Sequence, residues 1–364
     1  MSVEKLQRTP LYPVHVAAKA KLVPFAGWEM PVQYSGVVDE HTTVRKAVGL
    51  FDVSHMGEVE FRGPKALETV NRIITNDLTK VADSQALYTA MCRPDGGIVD
   101  DLVVYRFSAE RIFICVNAGN RAKDYAWMVE QAGGACEVIN RSDEFAQIAV
   151  QGPKGPELVQ RLTNAPLEKV GRYWFTTGQV AGKEAIIART GYTGEDGFEL
   201  YLKSEDGVAV WNALLEKGQD LGVKPAGLGA RDSLRLEYCM ALYGNDIDDN
   251  TNPLEAGLGW VVKLAKPDFV GKAALEAVKA GGLKRKLVPF EVTGRGIARH
   301  GYPIAKEGQT VGTVTSGTMG PSVDKAIGLG YVPAALSAVG STFDVIIRDK
   351  PVAAVVVERP FLKK

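Results

Sequence analysis

The sequence predicts mixed α+β domains followed by a compact all-β module. Short strand-like runs and helical runs alternate irregularly through most of the chain, which fits α+β better than a doubly wound parallel sheet. From about Lys284 the texture changes, and short strands recur between Gly or Pro breaks. Glycine supplies 39 of 364 residues, above the usual share of roughly 7%, and this excess sits in turns.

Composition narrows the function. The chain is 46% hydrophobic, and its length suits two or three domains with their own cores. Lys plus Arg and Asp plus Glu both number 43, so neither nucleic acid nor an anionic membrane is the expected partner. Cys92, Cys115, Cys136 and Cys239 are scattered, which argues against a disulfide framework or a zinc site. His15, His41, His55 and His300 form no ligand motif, and no metal is expected. The opening Met1-Ser2-Val3-Glu4-Lys5 lacks the apolar stretch of a leader, and no apolar run is long enough to span a bilayer. A cytoplasmic protein is expected.

The elements follow in order. An arm through Pro10, Pro13 and Phe25–Pro31 reads as irregular and extended. Helical spacing covers Glu40–Val48 and Lys65–Ile74, with strand residues around Phe51–Val53. Ala86–Cys92 and Ile98–Phe107 form a hairpin around Pro94-Asp95-Gly96-Gly97. Ile112–Val116 and Ala146–Val150 are further strands, with a helix near Arg121–Gly133 between them. Another helix is expected over Ala230–Leu242. Gly281–Lys286 reads as a basic linker into the β module, whose strands are Leu287–Val292, Gly312–Ser316, Ala326–Val332, Thr342–Arg348 and Val352–Glu358. A barrel or a sandwich would satisfy that spacing.

The most informative stretch is Arg189-Thr190-Gly191-Tyr192-Thr193-Gly194-Glu195-Asp196-Gly197-Phe198-Glu199-Leu200. Its glycines allow positive φ and close approach to a flat ligand. Beyond Gly197 the residues alternate, so Phe198, Leu200 and Leu202 face one side while Glu199 and Tyr201 face the other. A carboxylate placed there could bond a heteroaromatic ring bearing N–H donors; an acidic hairpin in water is the alternative. Asp100 and Asp101 interrupt a run that otherwise calls for burial, and only one of two neighbours can enter a given pocket. The alternative puts both at an exposed hairpin shoulder. Arg231 starts a helix against its dipole, with Asp232 suited to cap it, while Trp260 follows glycines and could cover a ligand or lie in the core. Gly227-Leu228-Gly229-Ala230-Arg231-Asp232 fails as a dinucleotide fingerprint, because Asp232 stands where the third glycine belongs.

Several segments together resemble the aminomethyltransferases of the glycine cleavage system, the T-proteins. They are Phe25–Pro31, Phe51-Asp52-Val53-Ser54-His55-Met56, Gly96–Leu102, the Arg189 segment, Gly227–Glu237, Asn252-Pro253 and Thr315-Ser316-Gly317-Thr318. The resemblance spans nearly the whole chain. It implies a three-domain cloverleaf around a central folate cavity, with residues 1–280 forming two intertwined α+β domains (one including about 52–142) and 281–364 a β-barrel-like domain. It also implies transfer of an aminomethyl carbon from the lipoyl arm of H-protein to tetrahydrofolate, in a system completed by glycine decarboxylase and dihydrolipoamide dehydrogenase. Products are 5,10-methylenetetrahydrofolate, ammonia and the dihydrolipoyl arm.

By the same resemblance, Asp101 is the catalytic carboxylate, while Glu199, Arg231, Tyr88, Met56, Tyr192, Val103, Asn117 and Trp260 bind tetrahydrofolate. Met319-Gly320-Pro321-Ser322 departs from the family pattern, and the chain ends soon after Arg359, so the residues holding the folate tail are left open. Folate domains of dimethylglycine and sarcosine dehydrogenases share the architecture but accompany a flavin domain whose glycine fingerprint is missing here. A folate-dependent sulfonium demethylase is the enzymatic rival. A folate-binding protein of iron–sulfur assembly is the non-catalytic one, and it carries a Lys-Gly-Cys motif that this chain lacks.

Overall fold

The computed structural model describes residues 5–363, so Met1–Glu4 of the opening segment lie outside it. The chain forms two compact units. One comprises Met1–Val70, Leu78–Tyr88 and Leu102–Asp232, and the other Asn71–Asp77, Thr89–Asp101 and Ser233–Lys364. The secondary structure is mixed α+β and ends in a closed barrel, as expected.

In the first unit the N-terminal arm is more regular than its sequence suggests. A short helix, Tyr12–Ala17, precedes a hairpin of Lys21–Phe25 with Trp28–Gln33. The turn between them uses Ala26 at φ +49° and Gly27 at φ +84°, the backbone of a two-residue type I′ connection. Ala-Gly is a weaker signal for that turn than Asn-Gly. The arm is fastened at Asp52, whose carboxylate accepts from the Thr9 hydroxyl at 2.6 Å, the His15 ring at 2.8 Å and the Ser54 amide at 2.9 Å. Burial pushes this carboxyl up, but those hydrogen bonds outweigh it and hold it below the usual range.

A six-stranded sheet follows in the order Phe175–Val180, Lys183–Ala188, Gly197–Lys203, Phe145–Gln151, Val48–Asp52, Val223–Pro225. All neighbours are antiparallel except the last pair. The alternation of Gly197–Lys203 decides which core each residue joins. Phe198, Leu200 and Leu202 pack with Leu158, Val159, Val210, Trp211 and Leu214, from helices Gly155–Gln160 and Gly207–Lys217. Tyr201, on the other face, joins Tyr105, Phe113, Cys115 and Phe175. Several of these rings meet edge to face at centroid separations of 5.5–5.9 Å. Tyr105, Phe113 and Cys115 belong to a second sheet, ordered Gln85–Cys92, Ile98–Ser108, Arg111–Val116, Gly57–Arg62, Glu137–Asn140. The unit division cuts the first two of those strands.

Two helices differ in extent from expectation. The one expected over Glu40–Val48 runs Val37–Lys46, because Val48 already opens a buried strand. The one expected over Ala230–Leu242 runs Leu228–Glu237. The amides of Tyr238 and Met240 both return to the Arg235 carbonyl and Cys239 takes φ +53°, which closes the helix. Asp232 accordingly lies inside the helix rather than at its cap.

In the second unit the β module is a closed six-stranded barrel. Its order is Arg285–Val292, Lys325–Pro333, Gln309–Gly320, Pro303–Lys306, Thr342–Ile347, Lys350–Val356. Closure comes from pairing Phe290 with Val356, and Phe290, Ile304, Val314, Phe343 and Val345 fill the interior. Arg285 opens the first strand instead of belonging to a linker. Its guanidinium holds Glu255 at 2.9 Å and lies 4.7 Å from the Tyr331 ring centroid, so the basic run there is reduced to two lysines. The departing segment 319–322 wraps the end of helix Leu228–Glu237, and the Ser322 amide donates to the Glu237 carboxylate at 2.7 Å.

Arg235 and Asp246 form a buried ion pair in this unit, 2.5 Å apart with side chains 1% and 0% exposed. Arg235 also donates to the Ser316 hydroxyl at 2.8 Å, while Asp246 accepts from Thr315 at 2.5 Å and from Ser316 at 2.8 Å. The Thr315-Ser316 motif is therefore tied to Asp246 and Arg235. Lys266 is a second buried cation, and its ammonium donates to the carbonyls of Asn71, Ile74 and Asn76 at 2.5–2.8 Å.

Two outcomes are expected. Removing one member of a buried pair leaves an uncompensated charge, so Arg235→Met should lower unfolding stability by about 3–5 kcal/mol in urea titration. Gly97, in the hairpin turn, faces the Asp249 carbonyl so closely that a Cβ would collide with it. Gly97→Ala should cost about 1–3 kcal/mol, read from the shift of the urea midpoint.

Candidate folate site

The site is built from the polar side of strand Gly197–Lys203. Glu199 is half-buried, and both of its carboxylate oxygens have protein partners. The Thr190 hydroxyl donates to one, and the Gln147 side-chain amide donates to the other at 3.4 Å. Tyr105 extends the chain, joining the Thr190 hydroxyl at 3.4 Å and the Tyr201 hydroxyl at 2.9 Å. Burial pushes the Glu199 carboxyl above its ordinary value, while the Thr190 hydrogen bond and the Arg231 charge pull the other way. Arg231 stands near the start of helix Leu228–Glu237, its guanidinium 4.7 Å from the Tyr192 ring centroid.

The glycines of the Arg189 segment serve a purpose the sequence did not disclose. A Cβ at Gly191 would strike the Gln151 side chain, and one at Gly197 would strike the Val150 carbonyl. They admit the neighbouring strand. Gln151 donates to the Thr190 carbonyl at 3.1 Å and accepts from the Thr193 hydroxyl at 2.9 Å. Of the three acids in the segment, Glu195 pairs with Arg45 at 3.0 Å and Asp196 with Arg189 at 2.6 Å. Among the described residues, no arginine or lysine stands at salt-bridge distance from Glu199.

Met56 and Val103 pack at the margin of the cluster containing Cys115 and Tyr201. Tyr88, Asn117 and Tyr192 lie in the same unit. Glu199, Arg231, Tyr88, Met56, Tyr192, Val103 and Asn117 are all half-buried, several of them on strands whose other residues are mostly closed off. Partial exposure of apolar and charged side chains on buried strands is what a ligand-receiving surface requires.

Asp101 and Trp260 belong to the second unit. Asp100 is fully buried and Asp101 only 9% exposed, so the exposed hairpin shoulder is ruled out. Trp260 is 59% exposed, which rules out the core position. Among the described residues, no group of three or more His, Cys, Asp or Glu could hold a metal ion, and no helix is long and apolar enough to cross a membrane.

The sequence reading missed Thr190, Gln147, Gln151 and His55. The two glutamines sit at even spacing on an otherwise apolar strand, a signal for a polar face that the alternation rule could have found. His55 is 2% exposed, its Nδ1 lacks a hydrogen bond, and burial pushes it down to about 4, so it is neutral at pH 7.

The model of the GCVT N-terminal domain matches residues 11–266, and that of the glycine cleavage T-protein C-terminal barrel domain matches 285–363. An aminomethyltransferase of Desulfitobacterium hafniense is 50% identical over 361 residues, covering 99% of each chain. One from Halothermothrix orenii is 48% identical over 357 residues, covering 98% of this chain and 100% of its own. The solved glycine cleavage system aminomethyltransferase T of Bartonella henselae superposes with a TM-score of 0.93 at 35% identity, covering 98% of both chains. With both family models matched and such relatives aligned from end to end, this chain belongs to the glycine cleavage T-protein family.

Proposed function

We propose that the chain is an aminomethyltransferase that passes the aminomethyl carbon of lipoyl H-protein to tetrahydrofolate. The observation that carries the reading is Glu199: a half-buried carboxylate held by the Thr190 hydroxyl and the Gln147 amide, on a strand whose apolar face is fully used in the core. As an acceptor it suits the N–H donor edge of the pterin. Arg231, stacked on Tyr192, supplies a cation for the carbonyl side of the ligand. Met56 and Val103 offer apolar surface, with Tyr88, Asn117 and Trp260 as further contacts, and residues 281–364 form the separate C-terminal domain.

The chemistry needs positioning more than acid strength. Folate N5 and N10 each form a bond to the methylene carbon as its bonds to nitrogen and sulfur break. The two N–H protons end on ammonia and on the lipoyl thiol. Asp101 is the carboxylate proposed to stabilise the positive charge that develops on the folate nitrogen. H-protein is the proposed carrier, working with glycine decarboxylase and dihydrolipoamide dehydrogenase. The balanced charge and scattered cysteines support a cytoplasmic setting.

Glu199→Ala should weaken tetrahydrofolate binding about tenfold or more, since a charge-assisted hydrogen bond contributes about 1.5–3 kcal/mol. Unchanged affinity by calorimetry, in a mutant with a normal melting curve, would remove Glu199 from the site. Because its carboxyl is raised and binds the donor edge when ionised, wild-type affinity should fall with acidification, at a pH above the ordinary glutamate value of about 4.3. That dependence should vanish in Glu199→Gln.

The adjacent acids separate by face. Asp101→Asn should cut ammonia release from aminomethylated H-protein by a factor of about 10²–10⁴ while the fold survives. Asp100→Asn should change the melting temperature more than the rate. If Asp100→Asn is the slower enzyme, the assignment of Asp101 is wrong.

A further inference from the structure

The six-stranded sheet ends in two edges of different character. Val223–Pro225 is three residues long and carries Lys224 and Pro225. Shortness, lysine and proline all stop an edge from pairing with another chain. The opposite edge, Phe175–Val180, reads Phe-Thr-Thr-Gly-Gln-Val, with neither charge nor proline. It pairs with Lys183–Ala188 in unbroken register, from Phe175 opposite Ala188 to Val180 opposite Lys183. The connection, Ala181-Gly182 at φ +51° and +76°, is a two-residue hairpin turn, so Val180 and Lys183 form a hydrogen-bonded pair. Backbone groups alternate along an antiparallel strand. Those of Thr176, Gly178 and Val180 therefore face the hairpin partner, and those of Phe175, Thr177 and Gln179 face out from the edge.

This outer edge is closed at both ends and open between them. The Phe175 amide donates to the Ser84 carbonyl at 2.9 Å, and the Ala181 amide donates to the Leu162 carbonyl at 2.8 Å. Among the described residues, no carbonyl takes the amides of Thr177 and Gln179 in the same way, and both residues are exposed. The stretch Thr177–Gln179 thus offers two amides and two carbonyls at the spacing an added strand requires.

The side chains beside this notch select what the added strand carries. Thr177 and Gln179 border a cleft of about 450 Å³ whose lining includes Arg111, Arg141, Lys203 and one acid, Glu184. Arg141 is engaged by Glu60 and Glu144. Arg111 gives only its Nε to Glu60, at 2.5 Å, and among the described residues its two terminal nitrogens make no hydrogen bond. The Lys203 side chain is 60% exposed and stands 3.5 Å from Glu184. Alternate side chains of a strand laid along the notch point to this cleft. Carboxylates at those positions would meet cations.

We infer that the edge Thr177–Gln179 receives an extended acidic segment of a partner protein. The segment adds as a further strand through main-chain hydrogen bonds and sets its carboxylates in the cleft, at Arg111 and Lys203. A second copy of this chain suits the notch less well. Its own edge, Phe175–Val180, brings no carboxylate. Antiparallel pairing about a two-fold axis would also set two basic clefts side by side on one face.

The test uses the full chain and two synthetic peptides, acetyl-Glu-Val-Glu-Val-Glu-amide and its counterpart with lysine in place of glutamate. Hydrogen exchange read by mass spectrometry should slow across Thr177–Gln179 when the acidic peptide is saturating, and the lysine peptide should leave it unchanged. In fluorescence anisotropy with the labelled acidic peptide, Lys203→Glu should weaken binding about threefold or more. Thr177→Pro, which removes an outward N–H, should weaken it about tenfold. If the acidic peptide does not bind, binds no better than the lysine peptide, or leaves exchange at Thr177–Gln179 unaltered, the edge is not such a site. If wild type dimerises with rising concentration while Thr177→Pro stays monomeric, the occupant is a second copy and the proposal falls. The exchange arm needs only wild-type protein, so it decides the matter even where Thr177→Pro fails to fold.

Discussion

The two-residue period of strand Gly197–Lys203 is the constraint around which the first unit is organised. One face must deliver Phe198, Leu200 and Leu202 to a core shared with two helices. The opposite face then has to carry Glu199 and Tyr201 into an aromatic and polar region. A slip of one residue would exchange the two faces and bury Glu199 in hydrocarbon. Gly191 and Gly197 defend the register, because each lets strand Phe145–Gln151 approach at a point where a methyl group would not fit. Gln147 and Gln151 on that strand then supply the amides that orient Glu199 and the Arg189 segment.

Buried charge is handled in two distinct ways. Where a charge is structural, the fold surrounds it. Arg235 and Asp246 take hydroxyls from Thr315 and Ser316, Glu60 takes three arginines, and Lys266 takes three carbonyls. Glu199 and Glu58 differ, because no cation is bonded to either and both are pushed towards the neutral form. Such incomplete compensation is destabilising unless something else completes it.

Much of this was visible in the residues themselves. The hairpin around Gly96-Gly97, the helix near Arg121, the switch to a β module and the two faces of Gly197–Lys203 all followed from local pattern. These are cases where propensity, turn chemistry and hydrophobic period agree. The N-terminal hairpin was not visible, because Ala26-Gly27 is a poor advertisement for its turn. The early end of helix Leu228–Glu237 was hidden for a different reason: Arg235 is held by Asp246, beyond the helix, and by Ser316, far along the chain.

The sequence alone determined the family, the face of strand Gly197–Lys203 on which Glu199 lies, and the division into an α+β part and a β module. Each is a matter of local spacing or of motif order. Tertiary structure decided which charged residues are already neutralised, since that depends on partners far apart in sequence, such as Arg45 with Glu195 or Arg111 with Glu60. It alone revealed that Glu58, indistinguishable from Glu60 by period and composition, is buried without a partner. Hydrogen bonds and desolvation are properties of a side chain's surroundings, and those exist only once the strands are paired.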